Sequence, residues 1–197
     1  SFPLKLSLPE NEEIPPPAPT YQLKSPSKGN THWYSPVSLK ALSVIVISSG
    51  VAPAAISLIV GSTAGDTWWF NSIDDLTTRA CLFDDEYVFN ADGSFDNVLG
   101  TTTWVEPWQG NDLEGCAAPV APHDGSAIAS WSYDASAGTI TLTGKGAFLG
   151  LAKVTDAGEI TNPNDAPASV TYPVELSADG KTMTIDIDFG GGFWHFV

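Results

Sequence analysis

Seven tryptophans in 197 residues are the side chains best suited to chemistry, and the chemistry they suit is sugar recognition. A pyranose presents apolar C–H faces that flat rings match, while nearby carboxylates and amides take its hydroxyls; Trp fills an ordinary core equally well. Trp68 and Trp69 are adjacent on a presumed strand, so one must point inward and the other outward. Trp104 and Trp108 flank Glu106-Pro107 in a stretch rich in Gly and Asn, with Gln109 beside them, where a core role is less expected. The ligand-binding set expected from the sequence is Trp69, Trp104, Trp108 and Gln109, with acidic neighbours lining a groove or barrel mouth. Trp131 and Trp194 fall in regular strands and are assigned to the core.

Carboxylates are the second set. Glycoside hydrolysis needs two carboxyl groups about 5–5.5 Å apart for retention, or about 6.5–9.5 Å for inversion. Asp84, Asp85, Glu86, Glu106 and Asp124 are the catalytic candidates, and Asp84 and Asp85 are weak candidates for Ca²⁺, the one cofactor contemplated. Turn hydrogen bonds and an ion pair to Arg79 explain the Asp84–Glu86 cluster equally well. Asp186 and Asp188 share a face, as the solvent side of a surface strand does. His123-Asp124-Gly125 places a base beside a carboxylate, but no GxSxG elbow accompanies it, and it reads as a turn. Three widely spaced histidines argue against a transition-metal site.

Composition narrows the partners. With 23 acidic against 8 basic residues the formal charge is −15, which repels nucleic acid and anionic membranes. Cys81 and Cys116 do not form a CxxC pair; they can join in a disulfide in an oxidising compartment, the alternative being two buried thiols. Ala41 to Val60 carries no charge, yet Ser48-Ser49-Gly50 and Pro53 break it into two short apolar runs that fit buried strands better than a membrane span.

The elements that must position these residues are strands. Residues 1–40 read as a Pro-rich arm or linker, with the run Pro15-Pro16-Pro17, and 41–197 as a single all-β domain. From Thr67 onward, short alternating runs recur between turns of hairpin chemistry such as Asn90-Ala91-Asp92-Gly93. Met183, Ile185, Ile187 and Phe189 alternate with Thr182, Thr184, Asp186 and Asp188. One short helix is expected near Ile73–Arg79, capped by Ser72. The pattern predicts an antiparallel β-barrel or a two-sheet β-sandwich, a lipocalin-like meander being favoured, with at most one short helix.

Five segments carry a resemblance: Trp68–Asn71, Arg79–Phe95, Trp104–Gly110, Cys116–Gly125 and Gly144–Lys153. Together they make residues 51–197 look like a repeated accessory domain of secreted marine Bacteroidetes proteins that degrade polysaccharides, often with family 16 glycoside hydrolase domains. The stretch around Asp84–Gly93 is also similar to lipocalin-like barrel domains. The resemblance implies a secreted or cell-surface bacterial module. The expected function is therefore a carbohydrate-binding or accessory domain whose partner is a polysaccharide or oligosaccharide. The alternatives are a small glycoside hydrolase acting through paired carboxylates, and a structural or adhesive filament subunit that self-associates through its N-terminal arm.

Overall fold

The computed structural model describes residues 44–48, 58–62 and 66–197; the Pro-rich arm lies outside the described residues. Alternation of apolar and polar residues folds the described residues into an all-β domain. Its main sheet is a ten-stranded antiparallel ladder in the order β1-β4-β5-β8-β9-β12-β13-β14-β2-β3. In chain order these strands are β1 (Val44–Ser48), β2 (Leu58–Gly61), β3 (Thr67–Phe70), β4 (Glu86–Asn90) and β5 (Ser94–Val98). After the small hairpin of β6 (Thr103–Val105) and β7 (Gly115–Ala117) come β8 (Ala129–Asp134) and β9 (Thr139–Thr143). A second small hairpin, β10 (Val154–Thr155) with β11 (Gly158–Glu159), precedes β12 (Ser169–Leu176), β13 (Met183–Asp188) and β14 (Phe193–Phe196).

The ladder turns a corner within β12. Ser169–Pro173 pair with β9, whereas Val174–Leu176 pair with β13. Pro173 sits at the changeover, where its missing N–H costs least. Side chains from both halves of the ladder meet in one core: Tyr87, Phe89 and Phe95 with Ile140, Leu142 and Tyr172, and with Ile185, Ile187 and Trp194. The alternation read in 182–189 is the burial pattern found, with Ile185 and Ile187 buried and Asp186 and Asp188 exposed.

Between β9 and β10, the segment Gly144–Lys153 is folded into the core, burying Ala147, Phe148, Leu149 and Leu151. Buried loop backbone must find partners. Strand side chains supply them: Asn97 Nδ2 donates to the Phe148 carbonyl at 2.8 Å and Tyr87 Oη to the Gly150 carbonyl at 3.0 Å, while the Leu149 N–H donates to Tyr172 Oη at 3.2 Å. Two glycines make the fit possible. Gly146 (φ +93°) leaves no room for a Cβ beside the Pro122 carbonyl, and Gly150 (φ +69°) lies against the Phe196 ring.

The helical segment differs from expectation in a way that matters for the site. Two single-turn helices, α1 (Asp75–Thr78) and α2 (Ala80–Phe83), replace the one expected over 73–79. Arg79, at φ −113° and ψ 29°, breaks them apart. Asp74, with no side-chain cap hydrogen bond, stands at the N-cap expected of Ser72, whose N–H and hydroxyl instead donate to Asp75 Oδ2, at 2.7 and 2.8 Å. Cys81 on α2 and Cys116 on β7 form a disulfide with a Cα separation of 5.8 Å, fastening the helices to the β6–β7 hairpin.

Candidate functional site

Trp69 and Trp104 come together, but around a cation. The Arg79 guanidinium lies 4.9 Å from the Trp69 ring centre and 4.1 Å from that of Trp104. It also pairs with Asp75 at 3.6 Å and Glu114 at 3.8 Å. Alternation on β3 turns Trp69 toward the core, and Trp104 belongs to strand β6, directly opposite Cys116, instead of a free loop. The two rings therefore hold Arg79 in the packed side of the fold. Desolvated cation–π contacts contribute up to about 2 kcal/mol. Arg79→Ala is thus expected to lower unfolding stability by about 2 kcal/mol in urea titration, and Arg79→Lys, which keeps charge without the planar fork, by less.

Trp108 and Gln109 serve a turn. Pro107–Gln109 form a 3-10 turn with Glu106 at its N-cap; the Glu106 N–H donates to Gln109 Oε1 at 3.0 Å, and Gln109 is 8% exposed. Trp108 Nε1 donates to Glu106 Oε2 at 2.9 Å, and Lys153 Nζ to Glu106 Oε1 at 3.0 Å. The Lys153 ammonium also lies 5.3 Å from the Trp194 ring centre, and Trp194 Nε1 donates to Glu159 Oε1 at 2.6 Å. This chain of charge-assisted contacts ties the 3-10 turn to β11 and β14 and occupies both oxygens of Glu106.

The other acidic candidates do not converge. Asp84 is exposed at the end of α2, Asp85 is fully buried and accepts from Thr103 Oγ1 at 2.7 Å, and Glu86 is half-buried at the start of β4. Burial pushes the Asp85 carboxyl up to about 7, helped by the charge of Asp84 and opposed by the Thr103 hydrogen bond. Asp124 closes a turn by accepting from the N–H and hydroxyl of Ser126 at 3.0 and 2.6 Å, which hold its carboxyl below the usual range. His123 packs edge-on against Trp108 and Phe148. The ion pair expected between Arg79 and the 84–86 cluster goes instead to Asp75 and Glu114. Among the described residues, no three His, Cys, Asp or Glu side chains gather as metal ligands do.

What stays exposed is a different aromatic pair. Trp68 and Phe70, two residues apart on edge strand β3, are 55% and 47% exposed. Trp68 sits where the β2–β3 register shifts, a position at which a bulge re-aims a side chain. Asn71 pins the end of this hairpin: its N–H donates to the Leu58 carbonyl at 3.1 Å and its Oδ1 accepts the Leu58 N–H at 2.8 Å. Trp68 leans edge-on against Phe189, with ring centres 6.3 Å apart. Beyond Phe189 lies an open depression of about 380 Å³ bordered by Asp156, Gly158, Asp188 and Gly190. Strict alternation was expected to set Trp68 and Trp69 on opposite faces; the bulge at Trp68 interrupts it, and the exposure of Phe70 was missed.

No protein-family model, curated protein or solved structure matches this chain. Its function is therefore argued from the geometry.

Proposed function

We propose that the chain is an extracellular carbohydrate-binding or accessory domain associated with polysaccharide degradation, and that it binds without catalysis of its own. The observation that carries this reading is that two rings of edge strand β3, Trp68 and Phe70, stay exposed while the neighbouring Trp69, Trp104, Trp108, Trp131 and Trp194 are packed or hydrogen-bonded into the fold. Two exposed aromatics on a rigid ladder lose little side-chain freedom on binding and match the apolar face of a sugar.

The disulfide between Cys81 and Cys116 is compatible with an exterior location, and no helix among the described residues is long and apolar enough to cross a membrane. The carboxylates that a glycosidase would need are engaged elsewhere: Asp85 with Thr103 in the interior, and Glu106 with Trp108 and Lys153.

Affinity electrophoresis through gels containing laminarin, other β-glucans, mannan or alginate tests the reading. Retardation by at least one polymer is expected, with no release of reducing sugar on prolonged incubation. Migration unchanged in every gel would remove the proposal.

A further inference from the structure

The corner in β12 leaves a wedge in the ladder. Val174, opposite Ile185, is where β12 and β13 part, because Ser169–Pro173 pair with β9 instead. Ile187 and Asp188 at the far end of β13 thus pair with β14 on one side and with no described strand on the other. The Phe189 N–H donates to the Gly192 carbonyl at 3.0 Å, so by antiparallel alternation the backbone groups of Asp188 turn the other way, into the wedge. The β10–β11 turn closes the third side. Asp156 Oδ2 accepts the Thr171 N–H at 3.0 Å, and a Cβ on Gly158 would lie 3.5 Å from the Phe189 carbonyl oxygen.

Two depressions fill this wedge, of about 380 and 290 Å³, and Asp156 and Asp188 border both, so they form one groove. Small-molecule sites begin at about 300 Å³. Thr171 and Pro173 border its smaller half and Phe189 its larger half. Trp68 leans on Phe189 at that end, and glycine permits the approach: a Cβ on Gly192 would lie 2.8 Å from the Trp68 ring and 2.9 Å from that of Phe189. The bulge in β3 thereby brings an exposed indole to the end of the groove. No Lys or Arg borders either depression.

We infer that this groove seats a neutral sugar chain, one unit in the wedge and a neighbouring unit stacked on Trp68. The Thr171 N–H orients the Asp156 carboxylate through Oδ2, and Oδ1 accepts a sugar hydroxyl in a charge-assisted hydrogen bond. The Asp188 backbone groups offer a donor and an acceptor from the opposite wall, and the indole supplies the apolar surface. This rests on the carbohydrate-binding reading and adds to it a place and a charge class. Uronate or sulfate groups would meet the carboxylates of Asp156 and Asp188 with no cation in the lining to receive them.

Affinity electrophoresis at low ionic strength, with the full chain in gels holding neutral β-glucans, mannan or alginate, gives the test. The wild type is expected to be retarded by a neutral polymer and not by alginate. Ala157→Leu, which adds bulk to an exposed residue of the lining, and Trp68→Ala should each weaken that retention roughly tenfold. Asp156→Asn, which still accepts from Thr171 but loses its charge, should weaken it roughly threefold. Near-UV circular dichroism identifies any variant that fails to fold, and the two substitutions in the β10–β11 turn, both at exposed positions, carry the test should Trp68→Ala do so. Retention by alginate equal to that by the neutral polymer overturns the charge class. Neutral retention untouched by folded Ala157→Leu and Asp156→Asn overturns the groove, whatever Trp68→Ala or Phe70→Ala does. Either result leaves carbohydrate binding itself standing, whereas no retention in any gel removes both.

Discussion

Replacing Asp85 by Asn should give a domain whose stability climbs by roughly 3 kcal/mol between pH 4 and 6.5, where the wild type is nearly flat. The reason lies in two buried groups of opposite sign. Asp85 has its pKa raised from 3.8 to about 7, chiefly by loss of hydration. The folded state thus keeps a proton that the unfolded chain gives up above 3.8, and this contribution to stability is complete below pH 3.8 and lost as pH rises through 7. His123, 3% exposed, has its pKa lowered from 6.5 to about 4, again chiefly by desolvation. Its contribution is complete above pH 6.5 and lost as pH falls through 4.

Between those limits the folded chain holds a proton on Asp85 and the unfolded chain holds one on the histidine, so the two dependences cancel. Asp85→Asn leaves the histidine alone. His123→Gln leaves the aspartate alone, and its stability should fall by roughly 4 kcal/mol from pH 4 to 7. Asn can still accept from Thr103, and for His123→Gln the slope is read instead of the absolute value, so lost packing against Trp108 and Phe148 does not confuse the result. Urea midpoints measured across this range check it; three superimposable profiles would show that neither group ionises differently in the fold.

Opening the disulfide should have an effect of similar size. Cys81 and Cys116 are 35 residues apart in sequence, and releasing a closed loop of that length costs about 4 kcal/mol in the chain-entropy model. The double variant Cys81→Ala/Cys116→Ala should lose about that much in urea titration, with a larger m-value because the unfolded chain expands. The loss should not be independent of Arg79. Trp104 stands opposite Cys116, and Arg79, two residues before Cys81, is clasped between Trp104 and Trp69, so the disulfide and the sandwich brace the same junction. Combining Arg79→Ala with the cysteine pair is therefore expected to cost less than the sum of the separate losses. A loss under about 1 kcal/mol without the disulfide would mean that packing alone closes the junction.

Strands were the legible part of this fold, because a period of two needs only local sequence. Thr139–Thr143 and Ser169–Leu176 have the boundaries their alternation suggests, and Asn90–Gly93 turns between β4 and β5 as its residues suggest. Burial of Gly144–Lys153 was not legible. Its apolar residues follow no period, and its backbone is satisfied by Asn97, Tyr87 and Tyr172, which are distant in sequence. The site was half legible for a similar reason. Alternation alone would separate Trp68 from Trp69, but the bulge in the pairing of β3 with β2 interrupts it, and which ring stays exposed depends on that pairing and on where Arg79 ends up. Trp104 and Trp108 resembled loop aromatics because the β6–β7 hairpin is short and the Glu106–Gln109 capping pattern lies at a 3-10 turn instead of a long helix.

The most direct test of the account compares two sets of aromatics on the polymer that retards the wild type. Binding isotherms should show a roughly tenfold loss for Trp68→Ala or Phe70→Ala and little change for Trp104→Phe or Trp108→Phe, since the first two rings are exposed and the second two are packed. Affinity that survives in the first pair and collapses in the second would contradict it, returning the ligand to the groove of Trp69, Trp104, Trp108 and Gln109.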